Sequence, residues 1–191
     1  DPHAVVVLQR RRSQATYGLV SIRGIIPLVV SLDHCGPLTR SVADAALMLQ
    51  VLAGYDRLDI ASVEHPAENY VAALAEPVKG LRVGVARVPF FDHLDDDVAR
   101  VTDAALGTIR SLTAGLRDVV LPSTSEIGLG PEMYAYHEAL YTRMAGRYQI
   151  PTRRNLKNGA DAKAGEYIRS RWKLDLLRRT IDDSFRDVDV V

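Results

Sequence analysis

Apolar residues cluster first at Leu19, Val20 and Ile22 and again from Ile25 to Val30, a run of extended character broken by Pro27. Proline has no amide hydrogen to give a ladder, so this stretch predicts an edge or an irregular crossing rather than a central strand. Gly36-Pro37 marks a turn. A helix is predicted from Ser41, whose hydroxyl can accept from the Asp44 amide while the Asp44 carboxylate reaches back. Such a cap stabilises by roughly 1 kcal/mol. Val42, Ala45, Ala46, Leu49 and Leu52 share one helical face, and Leu47, Met48 and Val51 make the other side apolar too. That all-round pattern predicts a buried helix. Gly54 is placed to end it in the left-handed conformation.

The remaining pattern alternates between strand and helix periods. Ala4 to Leu8 reads as a short strand, and Ala61 to Pro77 as a connector with a modest helix around Tyr70 to Ala75. Arg82 to Arg87 alternates and is valine-rich, as a strand does. Asp95, Asp96 and Asp97 precede a helix with Val98, Val101, Ala105, Ile109 and Leu112 at helical spacing. Val119, Val120 and Leu121 predict the next strand, stopped by Pro122. Two strands joined through a helix are most simply parallel with a right-handed crossover. Ser123 to Pro131 reads as a flexible connector. The helix after it carries Met133, Tyr136, His137, Leu140 and Tyr141 on roughly one side. Pro151 to Gly165 is polar and turn-rich. Glu166 to Phe185 predicts one long amphipathic helix with Ile168, Trp172, Leu176, Leu177, Ile181 and Phe185 inward and Arg169, Lys173, Arg178 and Arg179 outside.

The order TYG, SLDHCGPLTRSVADAA and AGYDRLDIAS within Thr16 to Ser62 closely resembles the amidase signature family, which includes broad amidases and the A subunits of glutamyl-tRNA amidotransferases. The likeness continues more loosely through KGLRVGV and on to AGEYIRSRWKLDLLRRTIDDSFRDVDVV. It implies an α/β class, a partial amidase-signature fold with a mixed sheet flanked by helices. It also implies hydrolysis of carboxamides by a Ser–cis-Ser–Lys triad. In the family both serines and the lysine lie upstream of the TYG segment, and none can be located here. Residues 1–191 are therefore expected to form a single partial amidase-like domain, with residues 1–15 atypical and residues 16–62 the best match. Family members carry a glycine-rich approach to the tyrosine where this chain has Ser13-Gln14-Ala15, and the family's Thr-Pro motif after the last strand has no counterpart. The sequence reads as cut at both ends.

The resemblance places the border of a substrate pocket at Asp33, Gly36, Pro37, Thr39 and Arg40, with Asp33 and Arg40 expected to brace the turn through charge-assisted hydrogen bonds. Tyr136 and His137 either face the same pocket or serve as amphipathic packing. Neither cofactor nor metal is implied. Four carboxylates at Asp92, Asp95, Asp96 and Asp97 lack the glycine and distal glutamate of a calcium loop, and a helix N-terminus favours them without an ion. Gly128-Leu129-Gly130 lacks the rest of a phosphate loop. His137-Glu138 has no second histidine for zinc.

Composition narrows the partners. With 47% apolar content in 191 residues, one domain with a substantial core is the default. Lys plus Arg and Asp plus Glu both number 24, so no net charge recruits nucleic acid or an anionic membrane. The Arg10-Arg11-Arg12 run is then a solvated loop. No apolar run reaches the roughly 18 residues of a membrane span. The single Cys35 excludes an internal disulfide and reads as an inert thiol, with the cytoplasm the expected compartment. Lys79, Lys157, Lys163 and Lys173 show no serine spacing that identifies a dyad. The expectation is a portion of an amidase-type hydrolase that is inactive by itself, with apolar faces left open. Its parent would act on a small-molecule amide, as a homo-oligomer or with amidotransferase partner subunits. The alternatives are a standalone non-catalytic binding or assembly module and a fragment of the A subunit of a tRNA-dependent amidotransferase.

Overall fold

The computed structural model describes residues 11–12, 15–123 and 128–191. Their contacts sort into two compact units. The first combines the described residues up to Glu76 with Leu129–Ala162, and the second combines Pro77–Gly128 with Lys163–Val191.

In the first unit, strand β1 (Arg11–Arg12) pairs antiparallel with β2 (Leu38–Thr39), Arg11 opposite Thr39. The arginine run expected as a solvated loop thus lends its backbone to a ladder, while Ala4 to Leu8 and Arg10 lie outside the described residues. Helix α1 (Val42–Leu52) begins as predicted, the Asp44 amide donating to Ser41 Oγ at 3.0 Å. Its exit differs. Ala53 is extended and bridges Val20, and the Gly54 amide donates to the Leu19 carbonyl at 3.0 Å. Gly54 is not among the glycines of positive φ, because pairing with residues 19–20 turns the chain out of the helix without a left-handed residue. The expected buried helix is largely open. Ala45 and Ala46 are buried, but Val42 and Leu52 of the same expected face, and Leu47 and Met48, are exposed, and Val51 is 79% exposed. The neighbours of α1 within this unit are β1, β2 and the short helix α2 (Tyr70–Ala73). Residues 17–32 run as successive turns, the irregular crossing that Pro27 predicted.

Two further helices complete the unit, α4 (Gly130–Met144) and α5 (Ile150–Asp161), which pack on each other. Pro151 to Gly165, expected to be polar and turn-rich, is helical up to Asp161 and again from Ala164. Pro151 occupies the first turn, where its missing amide has no partner to lose. Leu156 supplies an apolar anchor that is fully buried. Gly159 is the point of closest approach. A Cβ there would run into the Gly130 carbonyl oxygen and come within 2.9 Å of the Gly130 carbonyl carbon and 3.1 Å of Tyr134 Cβ.

The second unit contains the expected β-α-β. Strand β3 (Val83–Val85) pairs in parallel with β4 (Leu116–Asp118), Val83 opposite Leu116, and α3 (Asp96–Leu112) connects them. The second strand lies three residues earlier than its valines suggested. Val119 still donates to the Val85 carbonyl at 3.1 Å, but Val120 is exposed. Val190 forms a parallel bridge on Val83, and the Gly84 amide donates to its carbonyl at 2.7 Å. Helix α6 spans Ala164–Thr180 and gives way to a 3-10 turn over Ile181–Phe185, earlier than the apolar spacing predicted. The predicted inward faces are displaced as well. Leu174 is the buried residue of α6 while Ile168, Leu176 and Trp172 are exposed, Trp172 by 67%. Val98, Val101 and Leu112 of α3 are exposed. Periodicity finds an apolar stripe, but only the surrounding chain decides what lies on it. Asp96 and Asp97 sit in the first turn of α3, with Asp97 paired to Arg100 at 2.7 Å. Among the described residues no cluster of His, Cys, Asp and Glu could hold a metal ion, and no helix is long and apolar enough to cross a membrane.

The segment of the Val190 bridge is tied down by a carboxylate. Asp189 accepts from the Arg82 backbone amide at 2.8 Å and from its guanidinium at 2.6 Å. The guanidinium and that amide hold the Asp189 carboxyl down to about 2, below its ordinary 3.8. A depressed folded value means that the stabilisation is present above 3.8 and is lost as pH falls toward 2. The urea midpoint of wild type should therefore drop from about pH 4 to about pH 2 more steeply than that of Asp189→Asn, measured side by side. Two glycines give a contrast. Gly159→Ala should destabilise by about 1–3 kcal/mol through overpacking against backbone. Gly107→Ala, in α3 with nothing near its Cβ position, should be neutral or stabilise by about 0.5–1 kcal/mol, both read by urea unfolding.

Candidate functional site

The loop bearing the predicted pocket border is built from turns that side chains hold in place. Tyr17 donates its hydroxyl to the Val30 carbonyl at 3.2 Å, and its ring meets His34 edge-on at 5.6 Å. Gly18 has φ +77°, and a Cβ there would sit 2.7 Å from Val63 Cγ2. Backbone conformation and space both demand glycine at this position of TYG. Asp33 turns back into its own loop, accepting from the Leu28 amide at 2.8 Å and the Val29 amide at 3.1 Å. Arg40 is exposed and has no ion pair among the described residues. The expected Asp33–Arg40 brace is therefore absent, because two backbone amides of the turn claim the carboxylate. Pro37 is fully buried, and Gly36 before it is half-buried. Thr39 is buried in β2 and donates Oγ1 to the Ser41 carbonyl at 2.7 Å, next to the cap of α1.

Tyr136 and His137 lie on α4, far along the chain from this loop. Tyr136 is 51% exposed and its ring stands edge-on to His137 at 5.1 Å. His137 is half-buried, with Nδ1 3.0 Å from the Tyr148 hydroxyl. Tyr141 joins Tyr148 and Tyr134 in the same aromatic group. Loss of water around the Tyr134 phenol, with the Glu138 carboxylate beside it, raises its pKa. Lys157 is held protonated by Asp161 one turn away, which raises its pKa.

Two links join distant parts of this unit, and the sequence did not single out their residues. Glu132, in the first turn of α4, accepts from the Ser31 amide at 3.0 Å and from Ser31 Oγ at 2.8 Å. This pair ties the loop of Asp33, Gly36 and Pro37 to the helix of Tyr136 and His137. The second link is the DRLDIAS segment. Buried Asp59 accepts from the Ile22 amide at 2.7 Å and the Ala61 amide at 2.8 Å. Asp56 accepts from the Leu58 amide, Arg23 Nε and Ser21 Oγ, the Leu58 bond contributing most to lowering its pKa. Aspartates bonding amides two residues on are a local signal that the residue order alone could have flagged. The Ser31–Glu132 pair, 101 positions apart, has no such signal.

A separate cleft of about 130 Å³ opens between α1 and residues 63–70, lined by Leu19, Gln50, His65, Glu68 and Tyr70 among others. None of the predicted border residues lines it, and it falls below the roughly 300 Å³ at which small-molecule sites begin.

Parallel strands joined through a helix, in a chain that carries further helices, define an α/β protein. The chain belongs to the amidase signature family: the Amidase family model matches residues 14–191, which takes in the second unit and most of the first. An amidase of Pseudomonas putida is 36% identical over 184 residues, covering 93% of this chain and 40% of that protein. The A subunit of the glutamyl-tRNA(Gln) amidotransferase of Geobacter sp. (strain M21) is 48% identical over 109 residues, covering 57% of this chain and 22% of that protein. Among solved structures, the native peptide amidase of Stenotrophomonas maltophilia superposes with a TM-score of 0.70 at 25% identity, covering 94% of this chain and 44% of that enzyme. The chain spans less than half the length of these relatives.

The altered brace changes which substitution should matter. Asp33→Ala leaves the Leu28 and Val29 amides without their acceptor and should cost about 1 kcal/mol at this partly exposed site. Arg40→Ala should stay within about 0.5 kcal/mol of wild type. Urea unfolding of the two variants checks the order.

Proposed function

We propose that this chain is the central-to-C-terminal portion of an amidase-type hydrolase whose parent cleaves carboxamide C–N bonds to acid and ammonia. The observation that carries the reading is the amidase match running through residues 14–191, well beyond the signature stretch. The open apolar faces of α1, α3 and α6 support it, since a whole enzyme of the family has further structure to place on them. In this reading Asp33, Gly36, Pro37, Thr39 and Arg40 border the parent's substrate pocket from the loop, and Tyr136 and His137 border it from α4. The chain by itself is inactive. Acyl transfer needs an activated nucleophile, a base within reach and donors for the oxyanion. The family draws these from its Ser–cis-Ser–Lys segment, to which no residue here corresponds.

A second reading, a portion of the A subunit of a tRNA-dependent amidotransferase, is supported by the 48% identity to the Geobacter protein over 109 residues. It would bring partner subunits and an acceptor tRNA, where the amidase reading needs a small amide alone.

The test compares the 191-residue protein with the complete gene product. The short form should release no ammonia from aliphatic or aromatic amides and take up no stoichiometric fluorophosphonate label. The complete product should do both without partner subunits. One mole of label per mole of short form, abolished by replacing a single serine, would overturn the inactive-portion reading. Ammonia release that occurs only with partner subunits and glutamine would favour the amidotransferase.

A further inference from the structure

Resting on the amidase reading, we infer that Glu132 is a positioning residue: through Ser31 it fixes the pocket-border loop against the helix that carries Tyr136 and His137. The loop pairs as a strand only at its far end, Leu38–Thr39, and around Ser31 no strand holds it. Residues 30–32 are turns, and Tyr17 supports them at the Val30 carbonyl. Ser31 itself is buried, so its amide and hydroxyl must find acceptors inside the protein. Glu132 supplies one oxygen to each, at 3.0 and 2.8 Å.

The placement of the carboxylate is favourable for three reasons. It lies in the first turn of α4, where the helix dipole favours negative charge. Bonds to a charged acceptor are roughly twice as strong as neutral ones. Its neighbours Leu129 and Met133 are buried, so the helix turn that carries it is anchored. Asp33 lies two residues beyond Ser31, and Tyr136 lies one helical turn beyond Glu132. A shift at this pair therefore moves the two halves of the border relative to each other. A small misplacement of a positioning element is enough to weaken productive binding substantially.

The experiment has two arms. In the 191-residue protein, amide exchange at Ser31 should speed up at least about tenfold in Glu132→Ala. Glu132→Gln, which keeps one acceptor oxygen without the charge, should fall between. In the complete enzyme, Glu132→Ala should raise KM for a carboxamide on the order of tenfold with kcat nearly unchanged, and Glu132→Gln should restore part of the loss. Ser31→Ala keeps the backbone bond and should give a smaller rise in KM, which serves if Glu132→Ala fails to fold. Unchanged exchange at Ser31 in Glu132→Ala would overturn the clamp. Faster exchange with unchanged KM and kcat would overturn the positioning role and leave the amidase reading intact. A wild-type complete enzyme that hydrolyses no carboxamide would overturn that reading and the positioning role with it, while the exchange arm still reports the clamp.

Discussion

A buried backbone amide must find an acceptor, and between residues 15 and 63 almost no sheet exists to offer one. Carboxylates take that role. Asp59 accepts from Ile22 and Ala61 at a buried site and Glu132 from Ser31 at a part-buried one, while Asp33 accepts from Leu28 and Val29 and Asp56 from Leu58 at more exposed turns. Each bond replaces water with a charged acceptor at a place where the chain turns. Hydrogen bonds to charged groups are among the stronger ones available, and an amide left without its partner costs more than the bond contributes. The signature-like wording of this stretch is therefore largely a scaffold: its aspartates and its Gly18 maintain a loop of defined shape.

Packing follows a different rule in the helices. α4 and α5 approach so closely at Gly159, against the Gly130 carbonyl, that a methyl group there has no room, and Leu156 of α5 is fully buried. In α1 the small residues Ala45 and Ala46 are buried, while Val42, Leu47, Met48, Val51 and Leu52 are exposed. α3 and α6 likewise expose much of the stripe that their periodicity marks as inward. Such faces suit a chain that spans less than half of the enzymes it matches. Under the proposed reading they are surfaces of a larger fold, and the chemistry of acyl transfer belongs to the same larger fold.

The sequence by itself determined the local events. Ser41 capping a helix, Pro27 spoiling a strand, the β-α-β order and the family resemblance all depend on residues within a few positions of each other, or on a fixed order of short motifs. The helix over 150–161 escaped because its polar composition hid a first-turn proline and a single buried leucine. The valines after Asp118 drew the strand too late, since hydrophobicity reports burial only when a neighbour covers it, and Val120 stays exposed. Tertiary structure alone decided that Gly54 need not be left-handed and that Ser31 and Glu132 would meet. These outcomes turn on competition among partners brought together by the fold, and a linear sequence does not contain the distances by which that competition is settled.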